Sequence, residues 1–196
     1  MTETIDFGAQ TALIAHLAAR TRDEQLAAPT PCTEYAVRNL LGHLVGLTSA
    51  FRDAAAKDLG PSTATSPGSA LPDVSPGWRD ELAANLDALA AAWHRTGAWE
   101  GETQAGGITL PAALAGRIAL NELVLHGWDL ARATGLPYAP DTASLGVSYA
   151  LLAPAAEDPA RGGMFGPAVP VPDDATLLDR VVALGGRQPD WTPPRG

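Results

Sequence analysis

The sequence predicts an all-α protein built as a bundle of packed helices. Three observations carry this. Apolar residues recur at helical spacing through several long segments. Proline and glycine stops separate those segments. Finally, 46% of the 196 residues are hydrophobic while only 6% are aromatic, and much of the rest is alanine, so the core has to come from close helix packing rather than large side chains.

The first helix is expected from about Ile5 to Leu26, with Leu13, Ile14 and Leu17 at helical spacing and His16 within it. Pro29 and Pro31 then break the chain. Thr33 is the expected N-cap of the second helix, with Glu34 favourable at the positive end of the helix dipole. That helix runs to about Lys57 on a stripe of Val37, Leu40, Leu41, Leu44, Val45, Thr48 and Phe51, and His43 lies at the stripe's border. Gly42 and Gly46 each cost up to about 1 kcal/mol against alanine in an exposed helix, so another helix is expected to approach closely there. Residues Gly60 to Gly77, rich in Pro, Ser, Thr and Gly, predict a long mobile surface loop. Ser75-Pro76 reads as the N-cap and first position of a third helix, whose seam is Trp78, Leu82, Leu86, Leu89 and Trp93, with His94 near its end.

Between Gly97 and Pro111, Gly106-Gly107 separates Glu102-Thr103-Gln104 from Ile108-Thr109-Leu110, which allows a short hairpin or a plain loop. The fourth helix, the longest, runs from near Pro111 to Thr134, roughly 36 Å. Gly135 holds the left-handed stop position and Pro137 bars continuation. A fifth helix is expected over Asp141 to Leu152 and a last one from about Asp174 to Leu184, ended by Gly185-Gly186. The Pro154 to Asp173 loop between them is long enough to line a site. No repeat or boundary divides the chain, so residues 1–196 read as one domain.

Composition excludes several classes of function. The formal net charge is −9 and no Lys/Arg cluster occurs, so nothing marks a nucleic-acid or anionic-membrane surface. Cys32 is the single cysteine, which rules out an internal disulfide and a multi-Cys zinc site. No apolar run is long enough to span a bilayer, and the N-terminus shows no signal peptide, so the expected location is the cytoplasm. Tail tryptophan leaves a homodimer open.

The chemistry gathers on the fourth helix. Glu122 and His126 are four residues apart, so both side chains face the same way and suit one metal ion. Asp129, one turn on, can fix the imidazole tautomer of His126. The third ligand has to come from another helix. His43 is the best candidate, because His16 and His94 lie nearer helix ends. Two histidines and one glutamate leave a tetrahedral ion one open position, the arrangement of catalytic rather than structural sites. The set suits Zn(II), and Ni(II) or Fe(II) as well. A plainer account fits the same residues: Glu122 and His126 as an ordinary helix pair, His43 as a core histidine, Cys32 as a small buried apolar residue, and Asp129 with Arg132 as a surface pair.

Thr30-Pro31-Cys32-Thr33, continuing through Val37-Arg38 and Leu40 to His43, resembles the TPC-T-x-x-x-V-R-x-L-x-x-H motif of the mycothiol-dependent maleylpyruvate isomerase-like family. His126-Gly127-Trp128-Asp129-Leu130-Ala131-Arg132-Ala133-Thr134-Gly135 is similar to that family's HGWDLARATG block. Phe165-Gly166-Pro167-Ala168-Val169 and Asp190-Trp191 resemble the ending of a metal-binding subfamily typical of actinobacteria. The resemblance implies a DinB/YfiT-like four-helix bundle, here with additional short C-terminal helices and long loops. It implies that His43, Glu122 and His126 bind a divalent metal, usually zinc, at an open cleft. It also implies mycothiol or a similar low-molecular-weight thiol as nucleophile towards an electrophilic substrate, in an S-transferase or an isomerase. The family's isomerases carry a further C-terminal domain, which this chain is expected to lack. Arg161 then becomes the local cation expected to meet an anionic substrate. A metal- or small-molecule-binding bundle without turnover, and a purely structural metal, are the alternative expectations.

Overall fold

The structure, a computed structural model, describes residues 5–66, 68–156 and 166–194. Four helices form the bundle: α1 (Gly8–Arg20), α2 (Val37–Ala56), α4 (Trp78–Trp93) and α5 (Ala112–Thr134). α2 packs on α4 and α5, and α1 closes the ring by packing on the same two. A short α3 (Pro61–Ala64) follows α2, and β1 (Glu102–Ala105) pairs with β2 (Ile108–Pro111) ahead of α5. α6 (Thr142–Leu152) and α7 (Leu177–Leu184) lie against the outer side of α5. The all-α four-helix bundle with short C-terminal helices is therefore the fold that is observed.

The main core joins Ile14 and Leu17 of α1, Leu40, Leu41 and Leu44 of α2, Leu82, Leu86 and Leu89 of α4, and Leu120 and Leu123 of α5. The seam expected on α4 is buried along its whole length. Trp93 stacks on Phe7 at 5.9 Å, and its indole N–H donates to the Phe51 carbonyl at 3.1 Å, so this large ring is buried without an orphaned donor. A second apolar cluster lies on the other side of α5. It contains Val124, Leu125 and Trp128 with Leu145 and Leu152 of α6 and Val181 and Val182 of α7. α5 is thus covered on nearly all sides, as a helix apolar all round must be.

Element boundaries differ from the expected ones for local reasons. The first helix starts at Gly8, whose N–H is accepted by the Asp6 carboxylate at 2.8 Å, and stops at Arg20, with Asp23–Gln25 a separate 3-10 turn. Thr33 does not cap α2. Residues 30–36 instead fold on themselves: the Thr30 hydroxyl bonds the carbonyls of Cys32 and Tyr35, and Pro29 bridges Ala36. Ala36 is the N-cap, its N–H accepted by the Asn39 side chain at 3.1 Å. Ser75-Pro76 forms a turn, and Gly77 takes the N-cap position of α4. α7 begins at Leu177 behind a Thr176 cap, later than expected.

The hairpin is real. Gly106 and Gly107 have φ of 61° and 79°, both left-handed, as a two-residue turn matched to strand twist requires. Gly42 is closely approached, but by a loop rather than a helix: an added Cβ would lie 2.6 Å from the Asp73 carbonyl. A Cβ added at Gly46 would meet nothing within 4 Å among the described residues, so the expected close helix approach is absent there.

Candidate metal centre

α2 and α5 both feed the main core, and this packing brings the middle of α2 opposite the middle of α5. His43 therefore faces Glu122 and His126, and one donor atom from each lies within 4.8 Å of the other two. His43 Nε2 is 3.6 Å and His126 Nε2 3.2 Å from Glu122 Oε2. Two ligands about 2.1 Å from a tetrahedral ion lie about 3.4 Å apart, so these two separations match ligand spacing around one ion as well as that of imidazole–carboxylate ion pairs. The two imidazole rings meet edge to face at 4.8 Å. Among the described residues, His43 Nε2 is buried with no hydrogen-bond partner, its contact with Glu122 Oε2 at 3.6 Å being longer than a hydrogen bond. A buried imidazole nitrogen without a hydrogen bond, beside a carboxylate and a second imidazole nitrogen, is a donor set that fits a divalent cation.

The other nitrogen of His126, Nδ1, lies 3.0 Å from Asp129 Oδ2, the contact expected from their spacing. With Nδ1 held by the Asp129 carboxylate, Nε2 is the ring nitrogen turned toward Glu122. Asp129 is fully buried, and its partner is not Arg132 but Arg187, beyond the end of α7. Arg187 Nη2 donates to Oδ2 at 2.9 Å and Nε to Oδ1 at 3.3 Å. Arg132 turns away, donating to the Trp191 carbonyl and lying over the Trp128 ring at 5.7 Å. Sequence reasoning missed Arg187. The available signal was general: a carboxylate buried on an apolar helix needs a cation.

The electrostatics follow from burial opposed by charge. Burial works against an ionised Glu122, yet the imidazoles of His126 and His43 hold its carboxyl well below the usual range. Burial would lower the His126 pKa, but Asp129 and Glu122 outweigh it and raise the value to about 9. Asp129 is held low against its burial by His126 and Arg187. Cys32, in the 30–36 loop, sits beside His126 and Asp129. Burial and then Asp129 push its thiol up to about 11, so it is a neutral thiol at neutral pH in the metal-free chain. Tyr35, from the same loop, lies 5.5 Å from the His43 ring.

His16 and His94 are exposed and stand apart from this cluster. Arg161 lies outside the described residues, as does Phe165. Trp191 is not a bare tail residue: it packs against the second apolar cluster. Among the described residues no helix is long and apolar enough to cross a membrane.

Known proteins share this architecture. The family model for the mycothiol maleylpyruvate isomerase N-terminal domain matches residues 7–131. Two uncharacterized proteins from strains of Mycobacterium tuberculosis, Rv0738 and MT0763, are each 30% identical over 182 residues, covering 88% of this chain and 91% of theirs. In fold, the chain is similar to the crystal structure of the mycothiol-dependent maleylpyruvate isomerase, with a TM-score of 0.63 at 17% identity over 97% of this chain and 94% of that one. A histidine-to-alanine mutant of that enzyme matches at 0.62 and 18% over the same shares. Coverage of 94% of the isomerase chain runs against the expectation that a large C-terminal part of that enzyme has no counterpart here.

Proposed function

Since the chain belongs to the mycothiol maleylpyruvate isomerase N-terminal domain family, we propose that it binds a divalent metal, zinc above Ni(II) or Fe(II), and uses it for thiol chemistry. The thiol is mycothiol or a similar low-molecular-weight thiol. The reaction is addition of the thiolate sulfur to an electrophilic carbon. Where the electrophile is a conjugated C=C, the C–S bond forms as the π bond breaks. Rotation about the resulting single bond and expulsion of the thiolate re-form the double bond and give an isomerase, whereas protonation of the carbanion with retention of the C–S bond gives an S-transferase.

The observation that carries this reading is the convergence of His43 Nε2, His126 Nε2 and Glu122 Oε2, with the His43 nitrogen making no hydrogen bond among the described residues. These three residues would hold the ion, and three protein ligands leave a place for a small molecule. When bound, a divalent ion supplies the charge that keeps a coordinated thiol deprotonated at neutral pH. Asp129 keeps Nδ1–H of His126 engaged, so that Nε2 faces the site. Burial raises the Cys32 thiol to about 11 in the metal-free chain, which disfavours its thiolate as a competing nucleophile. Membership of the family, and the similarity in fold to a mycothiol-dependent isomerase, support the thiol assignment.

The test is turnover of a panel of electrophiles by the zinc-loaded protein with mycothiol, followed by chelation. Thiol-dependent turnover that disappears with the metal and returns on reloading is expected. Stoichiometric zinc with no turnover against any electrophile would leave a binding bundle without catalysis.

A further inference from the structure

We propose that Arg187 is a positioning residue of the metal centre, acting through Asp129 on His126. This rests on the metal reading of His43, Glu122 and His126, and extends it to a segment outside the family-matched region, which ends at residue 131.

The geometry is a continuous chain of contacts. Arg187 grips both oxygens of Asp129, at 2.9 and 3.3 Å, and the Oδ2 atom it holds is the one 3.0 Å from His126 Nδ1. Arg187 is itself fixed. Its backbone N–H bonds the Val182 carbonyl at 2.9 Å, and its Nη1 bonds the Gly185 carbonyl at 2.6 Å. Gly186, with φ of 82°, makes the turn that presents it. Asp129 is fully buried and Arg187 only 12% exposed in its side chain, so water offers little substitute. A carboxylate held at both oxygens is restrained in rotation, and it restrains the imidazole it faces. The C-terminal segment therefore sets the aim of a ligand on α5. Partners of this kind typically change metal affinity 10- to 100-fold.

The experiment measures Zn(II) affinity by chelator competition and the visible spectrum of the Co(II)-loaded chain. Arg187→Ala is expected to weaken zinc about 10- to 100-fold and to shift the Co(II) bands, while Arg187→Lys restores part of both. Arg132→Ala breaks the other tie between α5 and the tail, at the Trp191 carbonyl. It is expected to leave affinity and spectrum unchanged, which separates positioning from loss of tail docking. In an Asp129→Asn background, Arg187→Ala is expected to add no further loss. That pair also leaves no unpaired buried charge, so it supplies the comparison if the single variant fails to fold. Wild-type affinity in Arg187→Ala, or an equal further loss in the Asp129→Asn background, would overturn the proposal. A wild-type chain that binds no zinc would sink the metal reading itself, and this inference with it, before any variant is made.

Discussion

His126 is engaged at both ring nitrogens, by Glu122 at Nε2 and by Asp129 at Nδ1. Those two carboxylates raise its pKa from 6.5 to about 9 in the metal-free chain. A raised histidine stabilises the metal-free fold fully below about pH 6.5, and that contribution is lost as pH rises through about 9. A metal ion must displace the same proton. Zinc affinity should therefore fall about tenfold per pH unit below pH 9 on account of this group. Titrations at pH 6, 7 and 8 in buffers of different ionisation enthalpy would show roughly one proton released, whereas pH-independent binding would contradict it. The residues of this site were partly legible in the sequence. Glu122, His126 and Asp129 share a face because helical periodicity is local, and His43 stood out by its place mid-helix beside an apolar stripe. Arg187 was not legible, because it reaches Asp129 across 58 residues through the packing of α7, which no local pattern encodes.

The helices were legible to the extent that their stripes are regular. The α4 seam and the Gly135 stop of α5, with φ of 73°, stand as expected. Several boundaries moved, and the start of α2 shows why. Thr33 has the right side chain for a cap, but the Thr30 hydroxyl and the Pro29–Ala36 bridge give that segment's backbone groups other partners. The two α2 glycines, alike in sequence, are expected to respond oppositely. Gly42→Ala places a methyl 2.6 Å from the Asp73 backbone and should cost about 1–3 kcal/mol. Gly46→Ala meets nothing and should gain up to about 1 kcal/mol from helix propensity. Denaturant midpoints of the two variants check this, and equal shifts would contradict it.

At the scale of the molecule, α5 stands between two apolar clusters and carries the site on the side that faces α2. The fold is held by those clusters, so the chain should remain folded without metal. An ion joining α2 to α5 still adds stability by linkage, about 2.7 kcal/mol at a hundredfold excess over Kd. Chelation should then lower Tm by about 5–10 °C for a chain of this size, without loss of helical circular dichroism. Complete unfolding on chelation would instead mark a structural metal. The central claim is that three residues from two helices form one metal centre. Its most direct test is elemental analysis of the purified wild-type chain beside His43→Ala and His126→Ala, with circular dichroism to establish folding. About one divalent ion per wild-type chain, and loss of most of it in both folded variants, is the predicted result. No stoichiometric ion in the wild type, or full retention in both variants, would contradict it.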